Sequence, residues 1–282
     1  MKKGCLIITG LMVLLVIISL VLTLFQKNLS LKSKIALVRV EGPIIDSKDV
    51  IEEIRDYTRD RSIKAIVLRV DSPGGAVAPS QEIYAEVKKA VARKKVVVSM
   101  GSVAASGGYY ISAPATKIMA NPGTLTGSIG VIMEIPNVEE LMKKIGVRSE
   151  VVKSGRNKDV GSMFRTMKEE DRELLQGVLD NVHAQFIRAV AEGRKMTPEA
   201  VKLLADGRIF TGEQALQNGL IDEIGTLDDA EKAAARLAGL PEDSEVVTKK
   251  EKMSLFDLFR GKIPKEFTDL FPAVKIKYQY VP

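Results

Sequence analysis

Ser106, framed by small residues in Gly101-Ser-Val-Ala-Ala-Ser-Gly-Gly-Tyr-Tyr110, is the group in this 282-residue chain best placed for nucleophilic chemistry. It sits between the apolar run Val96-Val-Val-Ser-Met100 and the apolar-aromatic segment Tyr109-Tyr-Ile-Ser-Ala113, where a strand-to-helix elbow would present a hydroxyl. The means of activating it are few. The chain has one histidine, His183, and one cysteine, Cys5, which belongs to an apolar N-terminal run. A lysine is therefore expected as the base. Gly-Ser-Ala clusters are more often plain turns, so the neighbours of this one matter. Asp71-Ser-Pro-Gly-Gly75 follows the apolar run Ile63-Lys-Ala-Ile-Val-Leu-Arg-Val70, and its backbone N–H groups could face an oxyanion. Gly123-Thr-Leu-Thr-Gly-Ser-Ile-Gly130 adds a third small-residue loop bearing hydroxyls.

In order along the chain, Ser-Pro-Gly-Gly, Ser-Val-Ala-Ala-Ser-Gly-Gly-Tyr-Tyr, Thr-Gly-Ser-Ile-Gly-Val, Lys153-Ser-Gly-Arg-Asn-Lys-Asp159 and Asp206-Gly-Arg-Ile-Phe-Thr-Gly-Glu-Gln-Ala-Leu-Gln-Asn-Gly-Leu-Ile-Asp222 resemble the motifs of the signal peptide peptidase A (SppA) family in its short form. The resemblance runs from about Ile35 to about Leu240. It implies an α/β, ClpP/crotonase-like fold of repeated ββα units with an N-terminal transmembrane helix. It makes Ser106 the nucleophile and Lys158 the general base, with Ser128 holding the lysine amine and the N–H groups of Gly75 and Gly107 binding the oxyanion. It further implies a homo-oligomeric ring with active sites between protomers, an octamer being the candidate count, and remnant signal peptides as substrates.

A Ser-Lys dyad is chemically demanding. A lysine with an unperturbed pKa of about 10.4 must be brought to roughly 7–8 before it can act as a base near neutrality, and desolvation in a closed pocket can supply that shift. An acid facing the amine would oppose it, so the Asp159 carboxylate is expected to point away. Lys153 is the rival base, and Ser128 taken alone is a turn serine.

Gly4 to Phe25 holds 22 residues without charge, enough to cross a hydrocarbon core roughly 30 Å thick. The run exceeds a signal-peptide core of about 7–15 residues and lacks a small-x-small exit, which favours an uncleaved anchor contacting membrane lipid. Lys2, Lys3, Lys27, Lys32 and Lys34, with no acid before residue 35, make up nearly all of the formal net charge of +6. The larger domain thus has no basic excess pointing to nucleic acid. Charge does not decide orientation; the resemblance puts the catalytic domain on the extracytoplasmic side. The absence of cysteine after residue 5 excludes disulfides in that domain. Without HExxH, CxxC or a carboxylate cluster no metal is expected, nor any cofactor.

The organisation that must position these residues reads as a cytoplasmic N-terminus at 1–3, an anchor at 4–25, a linker at 26–34, one α/β peptidase domain at 35–240 and a C-terminal tail at 241–282. Strands are expected at Ile35–Val40, Ile63–Val70 and Lys95–Met100, alternating with helices capped by Ser47 and Ser80, hence parallel pairing. A long helix is expected from Met167 to Lys195, with Leu174, Leu175, Val178, Val182 and Phe186 on one stripe and His183 as a structural or surface residue. Thr197-Pro198 and Thr211 should start two short helices. Two other readings stay open: a crotonase-type acyl-CoA enzyme using the same oxyanion hole, and a non-catalytic membrane scaffold.

Overall fold

The computed structural model describes residues 33–249, the strand Ile276–Gln279 and, within the first 32 residues, Met12, Leu14 and 16–19. The expected anchor at 4–25 lies outside the described residues except at those last positions, which are helical. Among the described residues no helix is long and apolar enough to cross a membrane.

The chain runs β1 (Lys34–Glu41), α1 (Lys48–Arg59), β2 (Ile63–Ser72), β3 (Gly74–Ala76), α2 (Val77–Val91), β4 (Lys95–Ala105), α3 (Gly107–Ser112), β5 (Lys117–Ala120), β6 (Leu125–Gly127) and β7 (Ile132–Met133). It continues through α4 (Glu139–Lys144), α5 (Glu169–Arg194), α6 (Pro198–Lys202), β8 (Ile209–Thr211), α7 (Gly212–Gln217), β9 (Glu223–Ile224), α8 (Leu227–Leu237), β10 (Val246–Val247) and β11 (Ile276–Gln279). The main sheet has the order β10-β1-β2-β4-β5-β9, every neighbouring pair parallel. The expected parallel pairing holds along this path, but the full eight-stranded sheet is mixed, because β6, parallel to β4, pairs antiparallel with β8.

Strands buried on both faces read as near-continuous apolar runs, and the central parts of β1, β2 and β4 do, with charged residues such as Lys34, Lys64 and Lys95 at their starts. Side chains alternate between faces. Val38, Leu68 and Val98 point to a core closed by Ile54, Ile83 and Phe186. Ile35, Leu37, Val67 and Val97 point to the other, where Ala230, Ala233 and Ala234 let α8 approach closely.

Several elements differ from expectation for identifiable reasons. β4 does not stop at Met100 but continues to Ala105, because β2 offers Ser72 opposite Ala104 and β6 offers Leu125–Gly127 as ladder partners. The small residues that suggest a turn are small because neighbours crowd them: a Cβ on Gly101 would lie 2.6 Å from Asp71 Cγ. α2 starts at Val77, so Ser80 lies inside the helix and donates back to the Ala76 carbonyl at 2.9 Å. Ser47 does precede α1, but its hydroxyl is bonded to Glu82 instead of capping the helix. On α5 the expected stripe is buried only toward its C-terminal half: Phe186 is fully buried, whereas Leu174 and Val178 are exposed. Thr197 and Thr211 cap α6 and α7 as expected. The sheet also continues past Leu240, since β10 pairs with β1.

Candidate active site

β4 and β6 run parallel and finish in register, Ala105 opposite Gly127. The next residue on each strand is a serine. Ser106 and Ser128 therefore leave the sheet side by side, and the Ser106 N–H donates to the Gly127 carbonyl at 2.8 Å. Both are buried, and both hold a positive φ, 54° at Ser106 and 49° at Ser128. Among the described non-glycine residues only Lys195, beyond the last turn of α5, shares that feature. Holding a side chain in this region costs about 1–3 kcal/mol, so surrounding packing must enforce it. That packing is visible around α3. The Tyr109 hydroxyl donates to the Leu220 carbonyl at 2.8 Å, and the Tyr110 ring lies 5.0 Å from Tyr84 and 4.9 Å from Phe186.

Thr124 and Thr126, hydroxyls of the third small-residue loop, donate to the carbonyls of Gly101 and Ala104, each at 2.7 Å. They fasten the Ser128 loop to β4.

The Gly74-Gly75 strand passes beside the elbow. A Cβ on Gly107 would lie 2.7 Å from Ser80 Oγ, 3.1 Å from Gly74 Cα and 3.2 Å from Gly75 N, so the two candidate oxyanion donors are neighbours. The Ile44 N–H donates to the Gly74 carbonyl at 2.8 Å, and the Ala76 N–H donates to the Ile44 carbonyl at 2.7 Å. By strand alternation the Gly75 N–H and carbonyl then point to the opposite edge of β3. Gly107→Ala is expected to destabilise the fold by about 1–3 kcal/mol through overpacking. Because it also displaces an N–H from this pair, hydrolysis should fall by on the order of 10²–10³-fold. Denaturant midpoints and peptide turnover measure the two effects separately, and an unperturbed turnover would remove Gly107 from the site.

Lys158 lies in an exposed loop between α4 and α5, its N–H bonded to the Gly155 carbonyl at 3.1 Å. Among the described residues its ammonium makes no hydrogen bond or ion pair, and none joins it to Ser106. The Asp159 carboxylate is turned to other partners, as expected: Arg165 Nε at 2.9 Å and the Lys153 ammonium. The Arg165 guanidinium, followed by Lys153, holds the Asp159 carboxyl well below the usual carboxylate range. Lys153, the rival base, is thereby occupied. Arg165 also donates to the Asp159 carbonyl at 3.1 Å and to Asp171 Oδ2 at 2.5 Å, fastening the lysine loop to the first turn of α5. Arg165 has no signature in the sequence, since an arginine six residues from each of two acids acquires its role only when the loop folds.

A cavity of about 520 Å³ opens beside Ser128, with Gly130, Ile132, Asp180, His183 and Asp206 among its walls. His183 lies on α5, as expected, and its Nε2 is buried with no partner among the described residues. No group of residues able to hold a metal ion occurs among the described residues.

The α/β sheet, with a serine at the turn from its longest strand into a helix, is consistent with a ClpP-like protease fold. The Clp protease profile matches residues 30–126, and that of Peptidase family S49 matches residues 88–241. The chain belongs to peptidase family S49. It is 46% identical over 216 residues to a provisionally named protease of Synechocystis sp., covering 76% of this chain and 78% of that protein. It is 40% identical over 256 residues to Protease 4 of Salmonella typhi, covering 85% of this chain but 41% of the relative. With a provisionally named signal peptide peptidase SppA of Enterococcus faecium the identity is 41% over 187 residues, or 65% of this chain and 54% of the other. The chain thus spans less than two thirds of the latter two relatives.

Proposed function

We propose that the chain is a membrane-anchored serine endopeptidase in which Ser106 and Lys158 form the catalytic dyad. The observation carrying this reading is the pair of strained, buried serines leaving β4 and β6 in register, with the Gly75 and Gly107 backbones beside the first of them. Ser106 Oγ attacks the scissile carbonyl while Lys158 Nζ accepts its proton. The oxyanion is held by the N–H groups of Gly75 and Gly107, the intermediate collapses, and the lysine returns the proton to the departing amine. Water then hydrolyses the acyl-enzyme, with the lysine again as base.

An exposed lysine cannot serve as a neutral base until it is desolvated, so we infer that Lys158 reaches the serine of a neighbouring protomer. Two features support this. The cavity beside Ser128 is open to receive a side chain, and the segment bearing Lys158 exposes Leu141, Ile145, Val147, Val151 and Val152, an apolar surface suited to contact between copies. Ser128 would then hydrogen-bond the incoming amine. Ser128→Ala is expected to slow hydrolysis by roughly 10–100-fold, as for other residues that orient a catalytic group. Complete loss, or none, would contradict an orienting role.

The substrates are proposed to be remnant signal peptides in extended conformation, met on the extracytoplasmic face by a domain anchored through residues 4–25, in a homo-oligomeric ring. A fluorophosphonate probe tests the chemistry directly. It should label the native protein at Ser106, as located by peptide mapping. Labelling elsewhere, or none on an intact assembly, would return the chain to the acyl-CoA or scaffold readings.

A further inference from the structure

Two neighbouring junctions at the end of the main sheet opposite Ser106 are dense in cations. The junction of α1 with β2 carries Arg59, Arg61 and Lys64, and that of α2 with β4 carries Arg93, Lys94 and Lys95. β2 and β4 pair in parallel with Ala65 opposite Lys95, so the two junctions lie side by side. Lys94 joins them, its ammonium donating to the carbonyls of Tyr57 and Asp60, each at 2.5 Å. Asp60 is the one acid in segments 59–64 and 92–95, and its carboxylate already accepts from the N–H and hydroxyl of Ser62, each at 2.8 Å. The other five cations are exposed, and their charged groups make no hydrogen bond or ion pair among the described residues. Arg59 and Arg93 also wall a cavity of about 400 Å³ between α1 and α2, together with Arg55 and Lys89. Arg55 and Lys89 pair with Glu86 at 3.2 and 3.3 Å, which leaves the two other guanidiniums unneutralised. Like charges crowded in this way repel one another and destabilise the compact chain, so an external anion is their complement.

The path of the chain indicates which anion. The Lys34 N–H donates to the Ser62 carbonyl at 2.9 Å, which sets the start of β1 against the first of these junctions. Residues 26–33 alone separate Lys34 from the uncharged run Gly4–Phe25, and a segment of that length reaches at most about 30 Å. We propose that this basic end of the domain lies against anionic lipid headgroups, whose phosphates pair with the exposed cations, one of them entering the cleft between Arg59 and Arg93. Guanidinium forks match phosphate oxygens in geometry as well as in charge. The proposal takes the anchor at 4–25 from the function proposed above and is independent of the chemistry at Ser106. Each cation close to an anionic membrane raises partitioning by about fivefold, and the attraction fades within about 10 Å at 0.1 M salt. β4 extends about 33 Å from Lys95 to Ala105, so the docked domain holds Ser106 up to about that height above the lipid. A peptide must then be clear of the bilayer before the serine can reach it.

The full chain, reconstituted from detergent into vesicles, tests this through the rates at which its lysines are acetylated. On vesicles containing phosphatidylglycerol, Lys64 and Lys95 should react at least about fivefold more slowly than on phosphatidylcholine alone, and about 1 M salt should erase the difference. Lys168, at the other end of α5 from Arg194, should react equally on both lipids. Combining Arg59→Gln, Arg93→Gln and Lys95→Gln should return Lys64 to its rate on neutral lipid, with an unchanged denaturant midpoint because none of the three side chains is bonded within the described residues. Flotation of the vesicles separates this proposal from the anchor. Equal lysine reactivity in a chain that floats with both lipids overturns the basic patch and leaves the anchor in place. Flotation with anionic vesicles alone, with Lys64 protected, supports the patch and removes the anchor, whereas flotation with neither overturns both. Protection of Lys64 by duplex DNA but not by anionic vesicles would overturn lipid as the occupant.

Discussion

Ser106→Ala and Lys158→Ala are each expected to reduce peptide hydrolysis by on the order of 10⁴-fold or more, and the double variant should be no worse than either. The non-additivity follows from the proposed chemistry, since a nucleophile without its base and a base without its nucleophile are equally idle. Neither change should disturb the fold. Lys158 is exposed in the single chain, and Ser106→Ala keeps the backbone N–H that donates to Gly127, although the positive φ there becomes no easier to hold. Circular dichroism and denaturant midpoints close to the native values are therefore expected alongside the lost activity. Appreciable hydrolysis by Lys158→Ala near neutral pH would remove that lysine as base. So would a native rate that stays flat from acidic pH to about 10, because no amine would then be titrating in the rate profile.

The second large effect is a recovery. If the dyad forms between copies, a protomer carrying Lys158→Ala keeps an intact Ser106, and its neighbour carrying Ser106→Ala keeps an intact Lys158. Two chains dead alone should regain up to about one quarter of native activity when co-assembled at random in equal amounts, the fraction of contacts joining an intact serine to an intact lysine. Co-expression with two affinity tags, followed by sequential purification, ensures that mixed assemblies are measured. Mixed assemblies with no more activity than their parents would show that each chain builds its own dyad. In that outcome the exposed lysine loop must fold back on the serine of the same chain. The Arg165 contacts to Asp159 and Asp171, which fasten that loop to α5, would then have to rearrange.

By itself the amino-acid sequence determined the class of sheet and the candidate nucleophile. Largely apolar runs such as Ile63–Val70, in a chain of alternating strands and helices, point to a parallel strand buried on both faces. With one histidine and one cysteine, a serine in a small-residue segment is left as the candidate nucleophile and a lysine as its expected partner. These are local properties, carried by composition and period. Tertiary structure alone decided where the local signals stop. The segment Gly101–Ala105 became strand instead of turn because β2 and β6 supplied ladder partners from elsewhere in the chain. The positive φ of Ser106 and of Ser128 follows from two strands ending in register, and strand register has no signature within either segment. The cavity beside Ser128 and the orphaned Nε2 of His183 arise where α5 crosses the loop after β6. β11 was invisible for the same reason. Its place between β3 and β7 is set by free backbone edges on strands about 140 and 200 residues earlier, and a strand edge is a property of the folded backbone which no side-chain pattern encodes.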